Sequence, residues 1–191
     1  MAHSNFSGYA FLLAFLLTIP LANYFIANVG TVCPPDSPCL IPVAPGLLAP
    51  SGVIWAGLAL VLRDLVQRRL GLGWSVAAVL AGAALSYAIS PALATASAVA
   101  FLISELVDLA VYTPLQRRDL VLAVAASTVV GLVADTIAFL SIAFGSLEHF
   151  EGQIVGKLWM VILALPILFW IRNRDTRLGQ TSDPQSLGAS A

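Results

Sequence analysis

An all-α integral membrane protein, with six transmembrane helices and both termini in the cytoplasm, is the fold class this sequence predicts. Three observations predict it. Of its 191 residues 59% are hydrophobic and only 10% charged, with a mean hydropathy of +0.93, whereas a soluble domain carries about 25% charged residues. The apolar residues gather into six runs of about 20, the length that crosses hydrocarbon at ~1.5 Å per residue. If the runs alternate in direction, every arginine falls on one side. Arg63, Arg68 and Arg69 lie at or after the end of the second run, Arg117 and Arg118 between the fourth and fifth, and Arg172, Arg174 and Arg177 after the sixth. The loops at 29–49, 88–95 and 145–152 contain no Lys or Arg, so the positive-inside rule puts both termini in the cytoplasm.

The spans read as 8–28, 50–69, 74–92, 94–113, 119–144 and 153–172, forming one domain over residues 1–174. In the first, Tyr9–Leu21 has the length of a signal-peptide core. Residues 1–8 lack Lys and Arg, however, and no small-x-small cleavage site follows, so a retained span is expected. Asn23 and Asn28, late in this span, either line a site or are hydrated at the interface. Ala10 and Ala14 form a small-xxx-small pair, a common signal for close helix approach that also arises by chance in an Ala-rich chain. The outer loop carries Cys33 and Cys39 among prolines. A small disulfide loop is favoured there over free thiols, and two cysteines without histidines make a poor zinc site. The loop is either a stiff cover over the outer mouth or a short connector. Pro91 marks the turn between spans three and four, and Thr113-Pro114 ends span four. The tail, 175–191, is rich in Ser, Gly, Gln and Ala and is expected to be disordered and cytoplasmic.

Several function classes are disfavoured. No Gly-rich loop with Lys-Ser or Lys-Thr exists to cradle a nucleotide phosphate. The net charge of −1 gives no electrostatic case for nucleic acid. His3 is terminal, and His149 between Glu148 and Glu151 reads as a solvated loop. No enzyme activity, metal or cofactor is expected.

The chemistry-bearing residues are charges inside the spans. Glu105 and Asp108 are three apart in an apolar run, which puts them on one helix face. A carboxylate at that depth costs roughly 2.5–3.5 kcal/mol on insertion scales, so such acids face a cavity, a proton path or a partner charge. Asp135 repeats the oddity in the next run, and Lys157 lies in the outer part of the last. Ser97, Phe101, Ser104, Asp108 and Tyr112 recur at helical spacing, as do Thr128, Gly131, Asp135 and Phe139. Two such stripes suit a cavity for a flat polar ligand. The competing structural reading has Lys157 neutralising Asp135 or Glu105 as internal glue. Asp64, near the cytoplasmic end of its span, either serves a gate or forms an i,i+4 surface pair with Arg68.

Three stretches, Leu62-Arg-Asp-Leu-Val-Gln-Arg-Arg-Leu-Gly71, Ala96-Ser-Ala-Val-Ala-Phe-Leu-Ile-Ser-Glu-Leu-Val-Asp-Leu-Ala-Val-Tyr-Thr113 and Ser127-Thr-Val-Val-Gly-Leu-Val-Ala-Asp-Thr-Ile-Ala-Phe-Leu-Ser-Ile-Ala-Phe144, resemble the VUT family. Its members are described as vitamin uptake or queuosine precursor transporters. The resemblance covers roughly residues 50–172, and the second and third stretches are its specific part. It implies a six-helix, multi-pass importer of the bacterial inner membrane, similar in shape to the substrate-binding subunits of energy-coupling-factor vitamin transporters. The implied cargo is a 7-deazaguanine, the cyano or aminomethyl precursor of queuosine, and Asp64, Glu105, Asp108 and Asp135 carry over as the acidic positions. A guanine-like edge presents neighbouring N–H donors that one carboxylate can accept together. Phe101, Tyr112, Phe139 or Trp159 would stack on the ring for about 1–3 kcal/mol, by analogy with base stacking on protein aromatics. The alternatives are a binding subunit that needs a separate ATP-driven energising partner, engaged through span one, and a structural membrane protein whose acids are only glue.

Overall fold

The structure, a computed structural model, describes residues 2–35, 37–115 and 120–177; the side chains of Arg68, Glu105, Asp108 and Tyr112 are among those outside the described set. Arg117, Arg118 and the tail beyond Arg177 also lie outside it. Six helices are present among the described residues: α1 (Ala2–Asn28), α2 (Val53–Leu70), α3 (Leu72–Ile89), α4 (Pro91–Leu115), α5 (Leu120–Phe144) and α6 (Phe150–Arg177). A two-stranded hairpin, β1 (Leu40–Ala44) and β2 (Leu47–Pro50), stands between α1 and α2.

The helices fall where the apolar runs lie, and the connections explain their ends. Gly71 alone joins α2 to α3, at φ 93°, with its N–H on the Gln67 carbonyl. Only glycine adopts that backbone without strain. Ser90 joins α3 to α4 in an extended conformation, and Pro91 opens α4, where its missing N–H costs nothing. Pro114 does not stop α4, which runs one residue further to Leu115, because a proline in the last turn removes little of the hydrogen-bond ladder. The last helix begins earlier than residue 153 and continues through Asp175–Arg177.

The stretch expected to be a loop is partly sheet. β1 and β2 pair antiparallel through Leu40↔Pro50, Ile41↔Ala49, Pro42↔Leu48 and Ala44↔Leu47. Their turn is Pro45-Gly46, with Gly46 at φ 75°, the proline-then-positive-φ pairing of a type II turn. Val43 bulges out of register, so its carbonyl leaves the ladder and accepts the Trp159 indole N–H at 3.0 Å. Cys33 and Cys39 form a disulfide. The Cys39 N–H donates to the Ile26 carbonyl, and the Ser51 N–H donates to the Cys39 carbonyl, both at 2.8 Å. The hairpin is thereby tied to α1, α2 and α6 at once.

Large apolar side chains are exposed on many faces, and several polar ones are buried. Buried positions include Thr18, Ser75, Ser86, Ser104, Thr136, Gln153 and Lys157, while Leu13, Leu80, Leu106, Ile162, Leu163 and Trp170 are exposed. Exposed apolar surface on this scale marks a face that another apolar medium covers. Among the described residues one segment, Ser7–Asn28, is by itself long and apolar enough to cross a bilayer; the apolar stretches at 73–89, 91–104 and 129–144 are shorter.

Small residues bring α2 and α6 into close contact. A Cβ on Gly57 would lie 2.9 Å from the Met160 side chain, and one on Gly156 2.8 Å from Val53. Away from the hairpin, Phe15, Leu62 and Ala78 form one apolar cluster and Val61, Leu65 and Ala164 another, with Phe11 packed against both.

Candidate functional site

Every helix contributes to one cavity of about 180 Å³. Its walls come from the later halves of α1, α3 and α5 and the earlier halves of α2, α4 and α6. These are the ends nearest the hairpin. The hairpin lies over that end of the bundle, and the apolar clusters close the opposite one. Drug-sized ligands occupy pockets of about 300–1,000 Å³, so this space suits something more compact.

The floor charge is Lys157, only 2% exposed. Close packing of Gly156 and Gly57 holds this part of α6 against α2, and the lysine reaches across to α5. Its ammonium donates to Asp135 Oδ2 at 2.7 Å and to Thr136 Oγ1 at 3.0 Å. The Thr136 hydroxyl in turn donates a hydrogen bond to the Leu132 carbonyl at 2.8 Å. Two of the three ammonium protons are thus assigned within the protein. Asp135 keeps 17% of its side chain exposed and lines the cavity, so it holds the lysine while facing the open space.

Phe101 and Phe139 also line the cavity. Phe139 is steadied edge-on by Phe144, ring centroids 5.8 Å apart. Phe101 is capped by the Arg63 guanidinium, 5.3 Å from its ring centre, a cation–π arrangement. This corrects the position of Arg63. Sequence reading groups it with Arg68 and Arg69 at the span's end; it instead lies inside α2 and lines the cavity. The grouping followed proximity in sequence, whereas Arg63 lies more than a helical turn before Arg68 and Arg69 on α2.

The other sequence-derived candidates fall elsewhere. Asp64 is 65% exposed and pairs with Arg63 at 2.9 Å; it does not line the cavity among the described residues. Trp159 is turned outward to the hairpin carbonyl of Val43. Asn28 bonds back to the Tyr24 carbonyl at the surface. Glu105 and Asp108 belong to α4, four and seven residues after Phe101, the helix that supplies Ser97, Ala98 and Phe101 to the cavity. Their side chains, with that of Tyr112, lie outside the described set.

Asn23, one of two asparagines that the sequence offers as lining or as hydrated, does line the cavity near the hairpin, together with Trp55 and Gln153, which sequence reading missed. Asn23 Nδ2 donates to the Ile19 carbonyl at 2.9 Å and to Ser86 Oγ at 3.3 Å. Asn23 Oδ1, Trp55 Nε1 and Gln153 Oε1 are buried without a hydrogen-bond partner among the described residues. Leaving such a group unsatisfied costs about 1–3 kcal/mol each. Their only sequence signal is a polar or indole group within a turn or two of a helix end, where hydration is the ordinary explanation.

The profile of a protein family described as "Putative vitamin uptake transporter" matches residues 52–171, more than half of the chain. No curated protein and no solved structure matches. The matched region runs from the start of α2 into α6 and holds Arg63, Phe101, Asp135, Phe139 and Lys157. A transporter family implies a membrane location, in keeping with the apolar exterior. The chain belongs to this vitamin uptake transporter family.

Proposed function

We propose that the protein imports a 7-deazaguanine, the cyano or aminomethyl precursor of queuosine, across the bacterial inner membrane. The observation that carries this reading is the Lys157–Asp135 pair, facing a compact cavity between Phe101 and Phe139. The remaining ammonium proton suits a ring carbonyl. The Asp135 carboxylate suits neighbouring N–H groups, and the phenyl rings suit a flat heterocycle. Charge-assisted bonds of this kind are about twice as strong as neutral ones. Glu105 and Asp108 extend the same binding surface from α4, and a second carboxylate answers the cation of the aminomethyl ligand.

The topology belongs to this reading. Arg68, Arg69, Arg172, Arg174 and Arg177 occupy helix ends remote from the hairpin, which supports cytoplasmic termini and an outward hairpin. A disulfide-bonded hairpin also suits an oxidising compartment. All six helices would then span the bilayer.

Uptake of labelled 7-cyano- and 7-aminomethyl-7-deazaguanine into cells unable to make either is the test. Accumulation that depends on this chain is expected, and its absence together with no binding by purified protein would refute the substrate. Co-purification of an ATPase, with uptake lost on ATP depletion, would identify an energising partner.

A further inference from the structure

We infer that Asn23, Trp55 and Gln153 form a second tier of the binding site that recognises a lactam edge, an N–H beside a C=O, on a planar heterocyclic ligand; this rests on the small-ligand transport reading and adds the residues that set its specificity. The three residues line the same cavity as Lys157 and Asp135. Gln153 is one helical turn before Lys157 on α6, and therefore on the same face, displaced towards the hairpin. Asn23 and Trp55 stand at the corresponding ends of α1 and α2.

Their hydrogen-bonding state points to a ligand. Gln153 is 2% exposed, and its Oε1 is without a partner. Asn23 has committed its amide protons to Ile19 and Ser86, which orients Oδ1 as an unused acceptor. Trp55 is fixed by an edge-to-face contact with Phe25, centroids 5.3 Å apart, while its indole N–H has no acceptor. Buried polar groups are nearly always paired, so one unpaired donor and two unpaired acceptors around one cavity form a pattern of their own. The complementary molecule offers N–H groups to Asn23 and Gln153 and an oxygen or ring nitrogen to Trp55. A primary amide such as Gln153 matches a lactam at both atoms, accepting the N–H through Oε1 and donating to the neighbouring carbonyl through Nε2. Discrimination comes from the two acceptors together: a guanine-type edge offers a ring N–H beside an exocyclic amine, whereas an adenine-type edge offers an unprotonated ring nitrogen beside its amine and sets a lone pair against one of the two oxygens.

The experiment pairs ligand-free stability with binding. Trp55→Phe keeps the ring against Phe25 and removes only the N–H; Gln153→Met keeps the length and removes both polar atoms. Full-length variants are compared with the unmodified chain in detergent, using 7-cyano-7-deazaguanine and 7-cyano-7-deazaadenine as probes. Without ligand, both variants are expected to melt at or above the unmodified temperature, because each loses an unsatisfied buried group. Each is also expected to bind the guanine-type probe about tenfold more weakly, and Gln153→Met to discriminate less between the two probes. A lower ligand-free Tm in both variants would make these groups structural and overturn the inference. So would unchanged affinity and discrimination in folded variants. If the unmodified protein binds neither probe, the deazaguanine cargo falls, and the ligand-free melting decides this inference by itself.

Discussion

Lys157 is a charge that the protein has removed from solvent almost completely, and its ion pair therefore has opposite consequences when halved and when deleted whole. Removing one partner strands a buried charge and costs about 3–5 kcal/mol; replacing both with apolar groups is often neutral or stabilising. Lys157→Met and Asp135→Asn should each lower Tm sharply, while the double variant Lys157→Met with Asp135→Leu should recover most of it. That recovered protein should still not bind a 7-deazaguanine, and calorimetry beside thermal unfolding checks both halves. Glu105→Gln and Asp108→Asn keep side-chain size and exchange an acceptor for a donor. Weaker binding by roughly 1–3 kcal/mol is expected for each, whereas Leu106→Ala, exposed on the same helix, should matter less. If folded Glu105→Gln and Asp108→Asn both bind normally, the carboxylate surface on α4 is wrong. Asp135 and Lys157 were legible because a charge in an apolar run has few explanations. Gln153 and Trp55 are not legible, and Asn23 only as one of two readings, because a polar group near a helix end is ordinarily hydrated and only packing gathers these three around one cavity. Arg63 was grouped by sequence proximity with arginines that lie a helical turn or more further along α2.

At the scale of elements, helix number and order were legible from the length of each apolar run. The hairpin was not. Prolines at 34, 35, 38, 42 and 45 read as a stiff coil, and the strands are only 5 and 4 residues long. Pro45-Gly46 was the available signal, a dipeptide that marks tight turns. Location alone favours the disulfide, and the structure forms it. Closing Cys33 to Cys39 should be dispensable for uptake, since the hairpin is also held by Trp159 and by backbone bonds from Cys39 and Ser51. A Cys33→Ser, Cys39→Ser protein that transports normally would agree, and loss of uptake with normal surface abundance would not. The α2–α6 contact leaves no such slack. Gly156→Leu forces a side chain against Val53 and should destabilise by about 1–3 kcal/mol, the usual cost of overpacking, read as lower Tm in detergent.

For the whole molecule, the arginine pattern yields the topological prediction. A cysteine introduced at position 117 should resist a membrane-impermeant thiol reagent in intact cells and react after the membrane is opened, whereas one at position 46, on the hairpin turn, should react in intact cells. Labelling of position 117 from outside would dismantle the six-span arrangement. The packing between helices adds something the sequence does not show. α4 and α5 pack chiefly on each other, α4 also packs on α3, and α5 meets α6 sparingly. Lys157 to Asp135 is the ion pair described across that thin seam. A cargo that hydrogen-bonds to Asp135 draws on the same lone pairs that clasp the lysine. On the proposed reading, loading and loosening are one event, because the passenger competes for the clasp that holds α5 to α6.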